Sequence, residues 1–195
     1  MSSDTRPLEL RPARPGDAEA VADIWYHGWG DGHRGNVPDA LVEARPRNSF
    51  DVRAAQRVKD TVVAVVGGQV AGFIMVAGDE VEQVYVGAAH RGTAVASALL
   101  SAAEDRVATA GFRRAWLAVV AGNARARRFY VRQGWQDEGL FDHQAPGLDG
   151  PVLVPAHRYV KDLTGEWGRG STRTHEGARG GEIRLWGLPA FVDIS

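Results

Sequence analysis

Apolar residues recur at helical spacing near the start of the chain. In "AEAVADIWYHGWG", Ala18, Val21, Ala22, Trp25 and Trp29 fall at i, i+3 and i+4, which predicts an amphipathic helix entered from the Pro15-Gly16 turn with Asp17 as its cap. The preceding "LELRP" predicts a short strand, and residues 37 to 59 carry a second helical pattern interrupted around Pro46. The periodicity then changes. "TVVAVVGGQVAGFIMVAGDEVEQVYV" predicts three strands, with Gly67-Gly68 and Gly78-Asp79 as hairpin turns. From Thr93 to Thr109, Val95, Leu99, Ala102, Ala103 and Val107 form one helical face, and Gly111 marks its end. A strand from Ala115 to Val120, a helix from about Asn123 to Gln133 stopped by Gly134, and strand-like "VLVPAHRYVKDL" close the regular part near Leu163. The order β-α-α-β-β-β-α-β-α-β-β predicts an α/β domain on a mixed sheet with a strand-helix-strand crossover in its middle.

Beyond residue 164 the pattern is lost. "GEWGRGSTRTHEGARGG" is rich in Gly, Arg, Ser and Thr and reads as a flexible tail, while the final "EIRLWGLPAFVDIS" is apolar again and is expected to dock on the body or on a second subunit, leaving a homodimer open. The expected division is a domain over residues 1–164 and a Gly/Arg-rich tail with a short apolar end over 165–195. With 195 residues the chain can bury one full core, and its apolar runs are too short to span a bilayer. A net charge of −1 gives no global attraction to nucleic acid or acidic membranes. Glu166, Glu176 and Glu182 dilute the tail arginines, so nucleic acid is not an expected partner. The absence of cysteine excludes disulfides, thiolate metal sites and cysteine nucleophiles, and the histidines are scattered, so no metal is expected. The first residues lack the apolar core of a signal peptide, and a cytoplasmic location is expected.

One stretch suggests anion binding. In "YVGAAHRGTAVASALL" a strand ends at Val86 and a short turn carrying Arg91 and Gly92 feeds a helix, whose N-terminal N–H groups and partial positive charge suit a phosphate. Thr93 reads as the helix cap and Ala94 as its first residue. Neither G-x-x-x-x-G-K-[ST] nor a G-x-G-x-x-G after a strand is present, which excludes the P-loop and Rossmann nucleotide sites. A surface arginine on a plain connection explains this segment equally well on its own.

The segment "VEQVYVGAAHRGTAVASALLSAAE" resembles the acetyl-CoA-binding element of the GNAT N-acetyltransferase superfamily, with the pattern [QR]-x-x-G-x-[GA] between a strand and a long helix. Arg91 and Ala96 match, and Ala94 stands where the pattern has glycine. "AWLAVVAGNARARRFYVRQGWQDEG" is similar to the family's next strand and helix, in which Asn123 opens the helix and Phe129-Tyr130 is followed by Gly134-Trp135. The resemblance implies a mostly antiparallel, twisted mixed sheet whose splayed central parallel strands are flanked by helices. It implies acetyl-CoA as co-substrate, held by Val84, Tyr85 and Val86 along the strand and by Arg91, Gly92, Thr93, Ala94, Val95 and Ala96 at the pyrophosphate. Asn123 can cap its helix or reach the coenzyme, and the two are compatible; Arg128 is a candidate for the 3′-phosphate. The Val86 N–H would hold the thioester carbonyl.

An amine with a pKa near 10 is only about one part in a thousand neutral at pH 7, so acetyl transfer needs a proton acceptor that offsets about 4 kcal/mol. Glu80 and Glu82 share a strand face upstream of the thioester position and are the candidates; His33 is a third. Tyr130 matches the family's general acid for the departing thiolate. The acceptor, a small-molecule or peptide amine, is expected against the first helix and its loop, where Trp29, Asp31 and His33 stand. An acid such as Asp31 or Glu82 would favour a cationic acceptor. Two other functions stay open at this point: a CoA-binding GNAT-like module without catalysis, and a nucleic-acid-associated protein working through the tail.

Overall fold

A computed structural model of the chain describes residues 7–163. Its elements run β1 (Leu8–Pro12), α1 (Ala18–His33), α2 (Asp39–Glu43), α3 (Arg47–Gln56), β2 (Thr61–Val66), β3 (Gln69–Ala77), β4 (Glu80–Val86), α4 (Val95–Thr109), β5 (Arg114–Val120), α5 (Ala124–Arg132), β6 (Gln136–Pro146) and β7 (Pro151–Asp162). This is the order read from the periodicities, except that the second helical region is two helices, α2 and α3, divided where Pro46 caps the second. The expectations for the first residues and for the tail lie outside the described residues.

The strands form one seven-stranded sheet in the order β1-β2-β3-β4-β5-β7-β6. All neighbours are antiparallel except β4 and β5. Gly67, Gly68 and Gly78 make the tight hairpin turns at the two predicted places. On β4 the register against β3 slips: Met75 faces Gln83, but Val76 faces Val81. Glu82 is therefore the extra residue of a bulge.

Each face of the sheet has its own core. On one side α4 and α5 cover Val84, Val86, Leu117 and Val119, bringing Leu99 and Tyr130 onto them. On the other, α1 and α3 cover Phe73, Tyr85, Ala118 and Val120 with Trp25 and Phe50. Trp25 meets the Phe50 and Phe73 rings at 5.7 Å each, and burying each such aromatic contributes about 2–3 kcal/mol. A Cβ on Gly28 would stand 2.5 Å from Tyr85 Cδ1, so glycine at this point of α1 lets the helix press onto the β4 ring.

Two helix starts differ from expectation. Asp17 does not cap α1: its carboxylate accepts from the Arg14 N–H at 2.7 Å and from both Arg11 guanidinium nitrogens, closing a 3₁₀ turn over Pro15–Asp17. The arginine at residue 11 outcompetes the helix end for the carboxylate because a charge-assisted pair is the stronger bond. At α4, Ala94 is the flanking residue and Val95 the first helical one, since the Ala94 carbonyl already accepts from Ala98 at 3.0 Å.

Candidate active site

β4 and β5 lie parallel but form one register pair, Glu80↔Trp116, where the Trp116 N–H donates to the Asp79 carbonyl at 3.0 Å. Beyond it no further register pair joins them among the described residues, and the strands part. The Gly87 N–H donates to Ala71 O at 2.8 Å on the β3 side. Antiparallel alternation then turns the main-chain groups of Tyr85 toward β3 and those of Val84 and Val86 toward the gap. A buried main-chain group left unmet costs about 1–3 kcal/mol, so this edge suits an extended ligand that hydrogen-bonds like a strand.

The gap ends at the turn that feeds α4. Gly92 takes φ 74°, a left-handed conformation glycine adopts without steric cost, and it turns the chain into the helix. Ala94 sits at φ −69°, ψ −8°, where alanine is unstrained. Thr93 Oγ1 donates to the His90 carbonyl at 2.6 Å and receives the Val95 N–H at 3.4 Å. The first N–H groups of α4, from Val95 and Ala96 onward, are left by helix geometry for other acceptors. Arg91 reaches Asp31 at the end of α1, Nη2 to Oδ2 2.6 Å, and its Nε is out of contact with solvent and unpaired among the described residues. Sequence reasoning placed these two residues in different sites, and the fold brings them together as an ion pair.

The loop after α1 also reaches the other rim. Asn36 donates from Nδ2 to the Gly32 carbonyl at 3.1 Å, and its Oδ1 lies where a Cβ on Gly122 would be 2.1 Å away. The end of α1 and its loop thus touch both the turn after β4 and the turn after β5.

On the α1/α3 face, Glu82 is buried and ion-paired with Arg57, which also holds Asp60 at 2.8 Å. Burial alone would lower the Arg57 pKa, but these two carboxylates raise it, so the guanidinium stays charged. Glu80 shares this face and is half-buried at the point where β4 and β5 still touch. Trp29 and His33 are buried and stacked, ring centroids 4.8 Å apart, and His33 Nδ1 lies 2.8 Å from the Trp29 carbonyl. Burial holds the His33 pKa down at about 3, so the ring is neutral packing rather than a solvent-facing side chain. His143 is likewise buried, at about 4.

Two arginines stand here as well. Arg45, between α2 and α3, is 9 % exposed and gives one hydrogen bond, to the Ala44 carbonyl at 3.1 Å. Arg53 lies over the Phe50 ring at 5.8 Å. Burial lowers both, to about 9 and about 10.

The α4/α5 face carries Tyr130, fully buried, with Phe129 edge-on at 5.3 Å and Trp135 at 6.0 Å. Asn123 Oδ1 accepts the Ala126 N–H at 3.0 Å, the capping alternative of the two expected for it. Arg128 lies elsewhere. With Arg127, Val131, Arg132, Asp137 and Tyr159 it lines a groove of ≈ 470 Å³ between α5 and the β7-β6 edge, strands removed from β4. There the Tyr159 hydroxyl and the Arg127 guanidinium donate to Asp137 Oδ2, at 3.1 and 3.2 Å.

Sequence reasoning missed Arg57, Arg45, Arg53 and His143. None lies at a local spacing from Glu82 that would mark it; only the bulge on β4 and the packing of α3 bring Arg57 across 25 positions. Among the described residues no group of side chains could hold a metal ion, and no helix is long and apolar enough to cross a membrane.

The same fold recurs in solved structures. A GCN5-related N-acetyltransferase of Rhodopseudomonas palustris superposes with a TM-score of 0.63 at 21% identity, covering 83% of this chain and 98% of that one. The PaiA N-acetyltransferase of Thermoplasma acidophilum, solved with coenzyme A, gives 0.59 at 16% identity over 80% and 99%. YncA of Salmonella typhimurium, solved with acetyl-CoA, gives 0.60 at 17% over 85% and 99%. No curated protein matches the chain in sequence. A family model does, over residues 22–135, which takes in most of α1 through the Gly134-Trp135 pair and so both sides of the gap, and on that match the chain belongs to the acetyltransferase (GNAT) family.

Proposed function

We propose that the protein is an N-acetyltransferase that moves the acetyl group of acetyl-CoA to an amine acceptor by direct attack within a ternary complex. The observation that carries this reading is the parting of β4 from β5 beyond Glu80↔Trp116. Two solved proteins of the same fold hold CoA or acetyl-CoA.

Bound acetyl-CoA supplies an activated acyl group as a thioester. The Val84 and Val86 main chain pairs with its extended arm, and the Val86 N–H faces the carbonyl oxygen, where charge develops. The turn from Arg91 to Ala96 meets the pyrophosphate, Arg91 exchanging Asp31 for phosphate oxygens. The alanine at 94, in a near-helical conformation, leaves those N–H groups in place.

Proton transfer is divided between the faces. Glu82, kept ionised by Arg57, takes the proton of the amine directly or through water, and Glu80 lies upstream on the same face. Tyr130, buried on the opposite face, gives its proton toward the departing sulfur. Trp29 and His33 stiffen the end of α1 that carries Asp31, so their part in acceptor binding is to shape the wall. We place this chemistry in the cytoplasm.

Release of CoA thiol from acetyl-CoA with a panel of amines tests the assignment. Acceptor-dependent release that Tyr130→Phe slows supports it. CoA binding without release with any amine would leave a binding module in its place.

A further inference from the structure

Two acidic side chains on this side of the sheet are already matched: Glu82 is paired with Arg57, and Asp31 with Arg91. The arginines at 45 and 53 are not. Arg45 is 9 % exposed yet donates only to the carbonyl of its own neighbour, Ala44. Arg53 Nη1 is out of contact with solvent and has no hydrogen-bond partner, and neither residue has a carboxylate within ion-pair distance, among the described residues. Arg53 stands over the Phe50 ring at 5.8 Å, Phe50 meets Trp25 at 5.7 Å, and Trp25 meets Tyr85 of β4 at 6.5 Å. Arg45 is buried just before the start of the same α3, so both arginines belong to the α1/α3 core that backs β4. A buried charge without an anion, beside a half-buried like charge, is costly, and an anionic partner lowers that cost.

We propose that Arg45 and Arg53 receive an anionic oxygen group, carboxylate or phosphate, carried by the acceptor amine itself. This rests on the N-acetyltransferase reading and names its substrate class. Guanidinium groups match both anions through paired N–H donors. The acceptor then lies with its amine toward Glu82 and its anionic end toward α2 and α3, both on one face of the sheet. An amine with a second positive charge meets repulsion there, the reverse of what Asp31 and Glu82 suggest while their partners are unknown.

The full chain is assayed for thiol release with matched probes: amino acids against their carboxamides, and phosphorylated against plain amino alcohols. The expected result is at least a tenfold higher kcat/KM for the anionic member of a pair, the carboxylate and phosphate arms telling the two anions apart. Arg45→Met and Arg53→Met are expected to raise KM for that member tenfold or more, with kcat within about threefold, and Arg45→Met to keep or raise thermal stability, because a buried unpaired charge is gone. Arg45→Lys is expected to recover part of the KM loss. Robust release that prefers neutral or dicationic amines overturns the inference while the acetyltransferase reading stands. If no probe is acetylated, the reading of function fails separately, and the anion site is then read by thermal shift on the CoA-saturated protein. N-acetylated amino acids must raise Tm more than their amides do, and Arg45→Met must erase the difference. Equal shifts overturn it.

Discussion

On the α4/α5 side of the sheet the buried side chains are aliphatic and aromatic, Leu99, Leu117 and Tyr130 among them. The α1/α3 side, made of the same strands, buries His33, Arg45, Glu82, Gln83 and His143 among its aromatics. Polar groups in such a place cost free energy unless each is satisfied, so their concentration on one face is not a by-product of packing. On the function proposed above, the difference locates specificity: the apolar face supplies cohesion and carries the proposed acid Tyr130, and the charged face gives up stability in exchange for discriminating among acceptors.

The sharpest break in this comparison comes from Glu82→Gln. It removes the proposed proton acceptor and half of the Arg57 pair, and about a thousandfold loss of kcat is expected, with stability lower by about 1–3 kcal/mol. Steady-state rates and urea unfolding check both. If kcat is unchanged and Glu80→Gln takes the loss instead, the base lies two residues upstream.

Tyr130→Phe makes the matching test on the apolar face. About a hundredfold lower kcat, with acetyl-CoA KM and Tm nearly constant, is expected of a lost proton donor. A drop in Tm without a change in kcat would make the hydroxyl structural.

The charged face should also be the acid-sensitive one. His33 and His143 stay neutral in the folded protein down to about 3 and about 4, while in the unfolded chain they take up protons below about 6.5. The unfolded state thus binds more protons in that window, and stability falls as pH drops through 6.5. Each ring is expected to remove on the order of 2 kcal/mol between pH 6.5 and 5. Chemical unfolding across that range reads the slope, which His143→Gln should reduce by one proton; an unchanged slope would show that the ring is protonated in the fold.

Two smaller substitutions probe the helices on either side. Gly28→Ala places a methyl against the Tyr85 ring and is expected to cost about 1–2 kcal/mol by urea denaturation, the strain exceeding the gain in helix propensity. Ala94→Gly is expected to lower the acetyl-CoA KM about two- to threefold while losing up to about 1 kcal/mol of stability, since residue 94 is near-helical. A large rise in KM would remove the idea that its methyl crowds the pyrophosphate turn.

Much of the fold was legible because period and punctuation agreed. The α4 face from Val95 to Val107 and the hairpin glycines are local signals. So is Asn123, whose side chain caps α5 as its residue type suggests. β6 was counted in the element order but its residues were not located: "QDEGLFDHQAP" exposes most of one face and carries a register shift between Asp137 and Leu140, so neither apolar alternation nor continuity marks it. In the site, the strand and the turn were readable as candidates through resemblance. The partners were not. Arg57 reaches Glu82 and Asp31 reaches Arg91 across 25 and 60 positions, and only the topology supplies such pairings. The Asp17 cap failed for a related reason, a nearby arginine offering the carboxylate a stronger bond.

The parting of β4 and β5 makes an unusual kind of sheet edge. Most edges lie at the margin of a sheet, where any passing strand can add to them and start aggregation. Here the unpaired main chain of Val84 and Val86 lies in the middle, with helices above and below and a neighbouring strand on the far side. A passing strand meets those helices and β5 first, so this edge is shielded from the pairing that starts aggregation, while the slender amide arm of the proposed coenzyme suits it.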